Sequence, residues 1–208
     1  LPALPSMGQF FHASPELTNL TLSCFMLLYS LSMLVWGPFS DKYGRRPILL
    51  AGIVIYILAS IGSALSDSVY QLIAGRCFQA LGSGAISAVS LTVVKDSFRG
   101  RAMENVLTLI QTMIVLAPML APVLGGLLLT VTSWRGIFWA LTVCGVAALA
   151  LSFALRETLT DPTPGSALHS LGRVTVVLRH ARFRSLLIIF SLSSMPFMAY
   201  LAASAYVF

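Results

Sequence analysis

The chain has 208 residues, of which 57% are hydrophobic and only 10% charged, with a formal net charge of +6. A soluble domain carries about 25% charged residues, so with a mean hydropathy of +0.88 a soluble fold is excluded and a multi-pass membrane chain is expected. The basic excess does not call for a nucleic-acid partner: it sits in loops on one membrane face, where the orientation rule and the anionic headgroups of the lipid bilayer account for it.

Leu1-Pro2-Ala3-Leu4-Pro5 reads as the outer end of a helix whose body is missing, and both ends of the sequence read as cut; no signal peptide is expected. Six apolar spans follow, at about 18–39, 47–65, 71–93, 105–130, 136–155 and 185–208. Between the first two lies a short charged turn, Gly37-Pro38-Phe39-Ser40-Asp41-Lys42-Tyr43-Gly44-Arg45-Arg46-Pro47, with Gly37 and Gly44 expected to permit tight bends. Lys42, Arg45 and Arg46 fall there, Lys95, Arg99 and Arg101 in the loop 94–102, and Arg156, Arg173, Arg179, Arg182 and Arg184 in the segment 156–184. Of the 13 basic residues this leaves Arg135 on an opposite loop, beside the acids Glu16 and Asp67, and Arg76 inside a span. Strict alternation of basic and non-basic loops places the first set in the cytoplasm.

The segment 156–184 breaks the rhythm of short loops. Asp161-Pro162-Thr163-Pro164-Gly165 reads as a hinge. Leu168, Leu171, Val174 and Leu178, with Arg173, Arg179 and His180 between them, read as a basic amphipathic helix on the inner surface, or as a plain surface linker. Cys24, Cys77 and Cys144 lie in apolar runs without metal-ligand spacing and are expected as free thiols; neither metal nor cofactor is expected.

Arg76 is the sharpest single residue, because a guanidinium inside a bilayer is costly and marks a polar path or a functional contact. At 100° per residue Arg76, Gln79, Ser83, Ser87 and Ser90 fall within an arc of roughly 80°, one polar stripe beside a packing stripe of Ala80, Gly84 and Ala88. Snorkelling of Arg76 to the outer headgroups is the other reading. In the span 105–130, Pro118 and Pro122 remove two backbone donors and Gly125 and Gly126 permit close approach, with Thr108 and Gln111 on the same face. That helix is either a pivot or seal, or a structural helix bent by proline. The charged turn is either a lock that breaks when the cytoplasmic side opens, with Asp41 pairing to Arg45 one turn on, or a plain positive-inside turn. Ser133-Trp134-Arg135-Gly136-Ile137-Phe138-Trp139 reads as an outer aromatic belt, and Phe25, Met26, Tyr29 and Met33 as adaptable cavity candidates.

Gly37, Asp41, Gly44, Arg45 and Arg46 form the pattern Gly-x-x-x-Asp-x-x-Gly-Arg-Arg, which resembles the loop signature between the second and third helices of the major facilitator superfamily. Arg76-Cys77-Phe78-Gln79-Ala80-Leu81-Gly82 resembles its fourth-helix signature, with Ala80 in place of a Gly, and Ala121-Pro122-Val123-Leu124-Gly125-Gly126 its fifth-helix antiporter signature, with Ala121 in place of a Gly. Trp134-Arg135 and Phe138 are similar to the start of helix six in drug exporters. The chain thus looks like the first half, plus helix seven, of a drug–proton antiporter of the bicyclomycin/chloramphenicol-resistance type.

The resemblance implies an all-α membrane protein with the major facilitator fold: an N-terminal six-helix bundle with a truncated first helix (1–155), a cytoplasmic connector (156–184) and the first helix of a second bundle (185–208). It implies drug:H+ antiport by alternating access, with Arg76 and Gln79 in proton coupling, the lock reading for the charged turn, Pro118, Pro122, Gly125 and Gly126 as the antiporter helix, and Tyr29, Ser83, Ser87 and Gln111 as cavity lining. The implied partners are an amphipathic drug or small molecule and protons. The expected form is a monomer, in the inner membrane if bacterial, with the proton-carrying carboxylate on the missing part of helix one. An importer or facilitator on the same fold, and a non-transporting sensor or assembly subunit, are the alternatives. No nucleophile–base pair or phosphate loop points to an enzyme.

Overall fold

The starts of two of the long helices follow local chemistry. A computed structural model describes residues 3–159 and 180–207, and the hinge and amphipathic segment expected between Asp161 and Arg179 lie outside the described residues. The helices are α1 (Leu4–Phe11), α2 (Pro15–Tyr43), α3 (Arg45–Ala64), α4 (Val69–Ser97), α5 (Gly100–Val131), α6 (Trp134–Phe153) and α7 (Ala181–Val207). Ser14 caps α2 by accepting from the Leu17 N–H at 3.4 Å, with Pro15 in the first turn, and Ser68 caps α4 by accepting from the Tyr70 N–H at 3.3 Å. The five helices α2 to α6 are each long and apolar enough to cross a membrane. The fold is an all-α membrane bundle, as the composition requires.

One expected boundary is corrected. The turn foreseen over 37–47 contracts to a single residue, because α2 runs on through Gly37 and Pro38 to Tyr43. Gly37 is therefore a helix-interior residue with open space around it. The reversal rests on Gly44 alone, at φ +101°, a conformation that L side chains rarely adopt.

α4 packs on both α2 and α3, and α6 packs on α3. The α4 contacts are close because small residues face them. A Cβ on Gly82 would stand 2.6 Å from the Gly52 carbonyl oxygen and 2.7 Å from the Tyr56 nitrogen of α3, and one on Gly84 would strike Ser32 of α2. α5 lies lightly on α4 and α6 and has no buried residue.

Two apolar clusters close the two ends. Leu4, Met7, Ala64, Leu72, Trp134 and Phe138 fill the outer end. Ile48, Leu49, Ile53 and Val89, with Trp36, Phe39 and Leu149 against them, fill the cytoplasmic end. This corrects the aromatic belt: Trp134 is only 4% exposed and Phe138 also 4%, so both are core, and Trp139, 46% exposed, is the belt residue of that segment. Trp134 is drawn inward because α1 folds over it, setting Phe10 and Phe11 at 5.5 and 5.3 Å from its ring.

Candidate functional site

Two polar centres stand out of this apolar frame, one at the cytoplasmic ends of α2, α3, α4 and α6, the other inside α4.

The cytoplasmic centre is built on Arg45, the first residue of α3. Its side chain is 9% exposed and forms an ion pair with Asp41 one turn earlier, at the end of α2. Its Nη1 also donates to Ser40 Oγ at 2.8 Å, and its Nε donates to Asp96 Oδ2 at 3.0 Å, at the end of α4. One guanidinium thus ties three helices together with charge-assisted bonds. Arg46 turns the other way and donates from Nη2 to the Phe153 carbonyl at the end of α6, at 3.1 Å. Lys42 lies over the Tyr43 ring at 5.2 Å and takes no part in the cluster.

Two members of this centre carry no local sequence signal. Asp96 and Glu157 read only as acids near the cytoplasmic face. Glu157 nevertheless accepts from the backbone N–H groups of Arg45 at 2.9 Å and Arg46 at 3.1 Å, 112 and 111 residues away. It also accepts from the N–H groups of Thr158 and Leu159, each at 3.0 Å. Burial pushes its carboxyl upward, but the four N–H donors outweigh it and hold the group below its ordinary value.

The inner centre is Arg76, about two turns into α4. Its Nη1 donates to Gln79 Oε1 at 2.5 Å, and its guanidinium lies over the Phe25 ring of α2 at 4.0 Å. Gln79 stands one turn further from the start of α4 than Arg76, so this bond holds the guanidinium along the helix. A cavity of about 200 Å³ adjoins it beside the outer cluster, lined by Leu4, Met7, Leu72 and Phe138 with Thr21 and Ile137 among others. Among the described residues no acid pairs with Arg76.

The single polar stripe of α4 is corrected here. Gln79 is 1% exposed and faces α3, where its Nε2 donates to Ser60 Oγ at 2.8 Å. A buried amide must place both ends of its side chain, and Gln79 does so by linking Arg76 to α3. Ser83 turns back to the Gln79 carbonyl at 2.8 Å, while Ser87 accepts from the Tyr29 hydroxyl of α2 at 3.0 Å. Phe25, one of the cavity candidates, also stacks its ring with Tyr29 at 6.1 Å. On α5, Thr108 and Gln111 are exposed and Pro118, Gly125 and Gly126 half-buried; the helix continues through Pro118 and Pro122. None of these α5 residues meets either centre. Gly37, one turn from Asp41, reaches the cluster through its carbonyl oxygen, which accepts from Ser40 Oγ at 2.8 Å, while the space a Cβ would fill is open.

Among the described residues no group of His, Cys, Asp and Glu is placed to hold a metal ion. The arrangement puts one cation inside a membrane span and a charged cluster where the ends of α2, α3 and α4 meet.

Comparison with known proteins agrees. The family described as Major Facilitator Superfamily matches residues 1–208. The chain is 33% identical over 159 residues to the multidrug resistance protein MdtL of Escherichia coli strain K12, and to the same extent to that of Shigella boydii serotype 18, covering 76% of this chain. It spans 41% of the length of these curated relatives.

Proposed function

The chain belongs to the Major Facilitator Superfamily, and we propose that it works in a proton-coupled multidrug exporter of the bicyclomycin/chloramphenicol-resistance type, moving drug against protons by alternating access in a bacterial inner membrane. The observation that carries this reading is Arg76, a cation inside a membrane span, held by Gln79 and Phe25 beside a cavity. Intramembrane charges of this sort mark substrate and proton pathways. Similarity to proteins named for multidrug resistance supports the direction and the substrate class.

In this reading Arg76 tunes a carboxylate that exchanges protons, favouring its charged form by its own positive charge, and Gln79 orients Arg76. Tyr29, Ser83, Ser87 and Gln111 line the drug path, and Pro118, Pro122, Gly125 and Gly126 shape α5 at the seam between the two bundles. The cluster of Asp41, Arg45 and Asp96, closed by the turn at Gly44 and flanked by Arg46, is the cytoplasmic gate.

The test uses the full-length protein in inverted membrane vesicles, with a fluorescent cationic dye and a panel of neutral antibiotics. A proton gradient is imposed and then collapsed with a protonophore. Uptake that follows the gradient and disappears in Arg76→Ala is expected. Uptake indifferent to the gradient would instead identify a facilitator, and the exporter reading would be abandoned.

A further inference from the structure

The start of α3 conflicts with its own sequence. Its N-cap is Gly44, which has no side chain to accept from the first N–H groups, and its first turn holds no acid. Its first two residues are Arg45 and Arg46, cations placed at the positive end of the helix dipole. Asp41 at the end of α2 offsets the charge of Arg45, but nothing local accepts from the first N–H groups.

The compensation comes from the far side of the chain. Glu157, just beyond α6, supplies both carboxylate oxygens to the Arg45 and Arg46 N–H groups. In return Arg46 caps the last carbonyl of α6, that of Phe153. Each helix end is completed by the other. The space for this exchange is kept by Gly44, whose Cβ, were it present, would stand 2.7 Å from Glu157 Oε2.

We infer that Glu157 is a positioning residue of the cytoplasmic gate: by capping α3 from the exit of α6 it holds Arg45 where its guanidinium bridges Asp41 and Asp96, so that docking of the α6 exit and closure of the ion-pair cluster are one coupled event. The inference rests on the gate reading above. Its physical basis is that Arg45 is gripped at both ends, its backbone by Glu157 and its side chain by Asp41 and Asp96. Release of either grip frees the first turn of α3 to move and weakens the other, and such coupling is reciprocal.

Hydrogen exchange of the backbone amides, read by mass spectrometry on the full-length protein in lipid nanodiscs, tests this without drug or proton gradient. The decisive variant is Asp41→Asn, which weakens the ion pair and leaves Glu157 intact; Asp96→Asn, on a different helix, repeats the test. Each is expected to speed exchange at Thr158 and Leu159, whose N–H groups donate to Glu157, by about fivefold or more. Asp41→Asn combined with Glu157→Gln is expected to exchange no faster there than Glu157→Gln alone. A Glu157 that merely caps a helix would leave Thr158 and Leu159 at the wild-type rate in both Asn variants, and that result would overturn the inference. Coupled exchange in a protein that moves no drug would instead sink the exporter reading and leave the coupling standing.

Discussion

A guanidinium in the membrane is tolerated only where its donors and its charge are engaged. Arg76 meets that requirement with one amide oxygen and one aromatic face, and the geometry of both contacts depends on a planar, forked group. Lysine retains the charge but presents a compact ammonium that cannot stack on Phe25 and reach Gln79 together. Arg76→Lys is therefore expected to lower gradient-driven export roughly tenfold, the equivalent of one oriented hydrogen bond to a charged group of about 1.5 kcal/mol, while the protein still folds and melts near the wild-type temperature. Export at the wild-type rate in the vesicle assay would mean that charge alone suffices. Glu157 gives a second prediction at this scale. Its folded value lies below its ordinary value of 4.5 because four N–H groups prefer the carboxylate, despite the opposing effect of burial. A depressed value stabilises the fold above 4.5, and that contribution is lost as pH falls through the lower folded value. The difference in melting temperature between wild type and Glu157→Gln is expected to stay constant from about pH 5 to 8 and to shrink only in more acid solution. A difference that shrinks near pH 6 would contradict the N–H cage.

Between helices, the same residue type has opposite meanings at different positions. Gly82 faces α3 backbone, where an added Cβ would meet the Gly52 carbonyl oxygen at 2.6 Å and the Tyr56 nitrogen at 2.7 Å. Backbone atoms cannot rotate aside, so Gly82→Ala must part α3 from α4, at a cost of about 1–3 kcal/mol. Gly37 lies in the α2 interior with nothing within 4 Å, so Gly37→Ala is expected to raise stability by about 0.5–1 kcal/mol through helix propensity alone. Scanning fluorimetry in detergent should separate the two variants in sign, and a destabilised Gly37→Ala would refute the open environment assigned to it. These two glycines also mark what the sequence could disclose. The spans, their order and the basic face were legible because apolar length and loop charge are one-dimensional signals. The pairing of Asp41 with Arg45 was legible because the two lie only four residues apart. Glu157 was not, since its partners lie 111 and 112 residues away and no spacing rule connects them. Gln79 shares a stripe with Arg76 and does bond to it, but a polar stripe on one helix does not reveal that the neighbouring helix offers Ser60. Trp134 misled for the same reason: an interfacial aromatic and one covered by a short preceding helix look alike in sequence.

Across the whole molecule the two ends differ in how their charges are held. The outer end pairs its single loop cation: Arg135 Nη2 lies 2.9 Å from Asp67 Oδ1 and also donates to the Ser66 carbonyl at 3.0 Å. At the cytoplasmic end the basic residues outnumber the acids in every loop. If orientation followed net charge, Asp67→Lys would threaten it, replacing a neutral pair with two outer cations. The orientation rule counts Lys and Arg, however, and acids contribute little; two outer cations remain far fewer than those inside. The pair itself is exposed, with Asp67 85% accessible, and exposed pairs contribute about 0–1 kcal/mol. Asp67→Lys is therefore expected to insert in the wild-type orientation and to lose at most about 1 kcal/mol of stability. Reporter fusions at the 94–102 loop read the first outcome and thermal melting the second. A mixed population of orientations would show that the outer carboxylate, rather than the count of inner cations, holds the bundle upright. The charge asymmetry would then be a local device of the turn between α3 and α4 rather than a property of the whole chain.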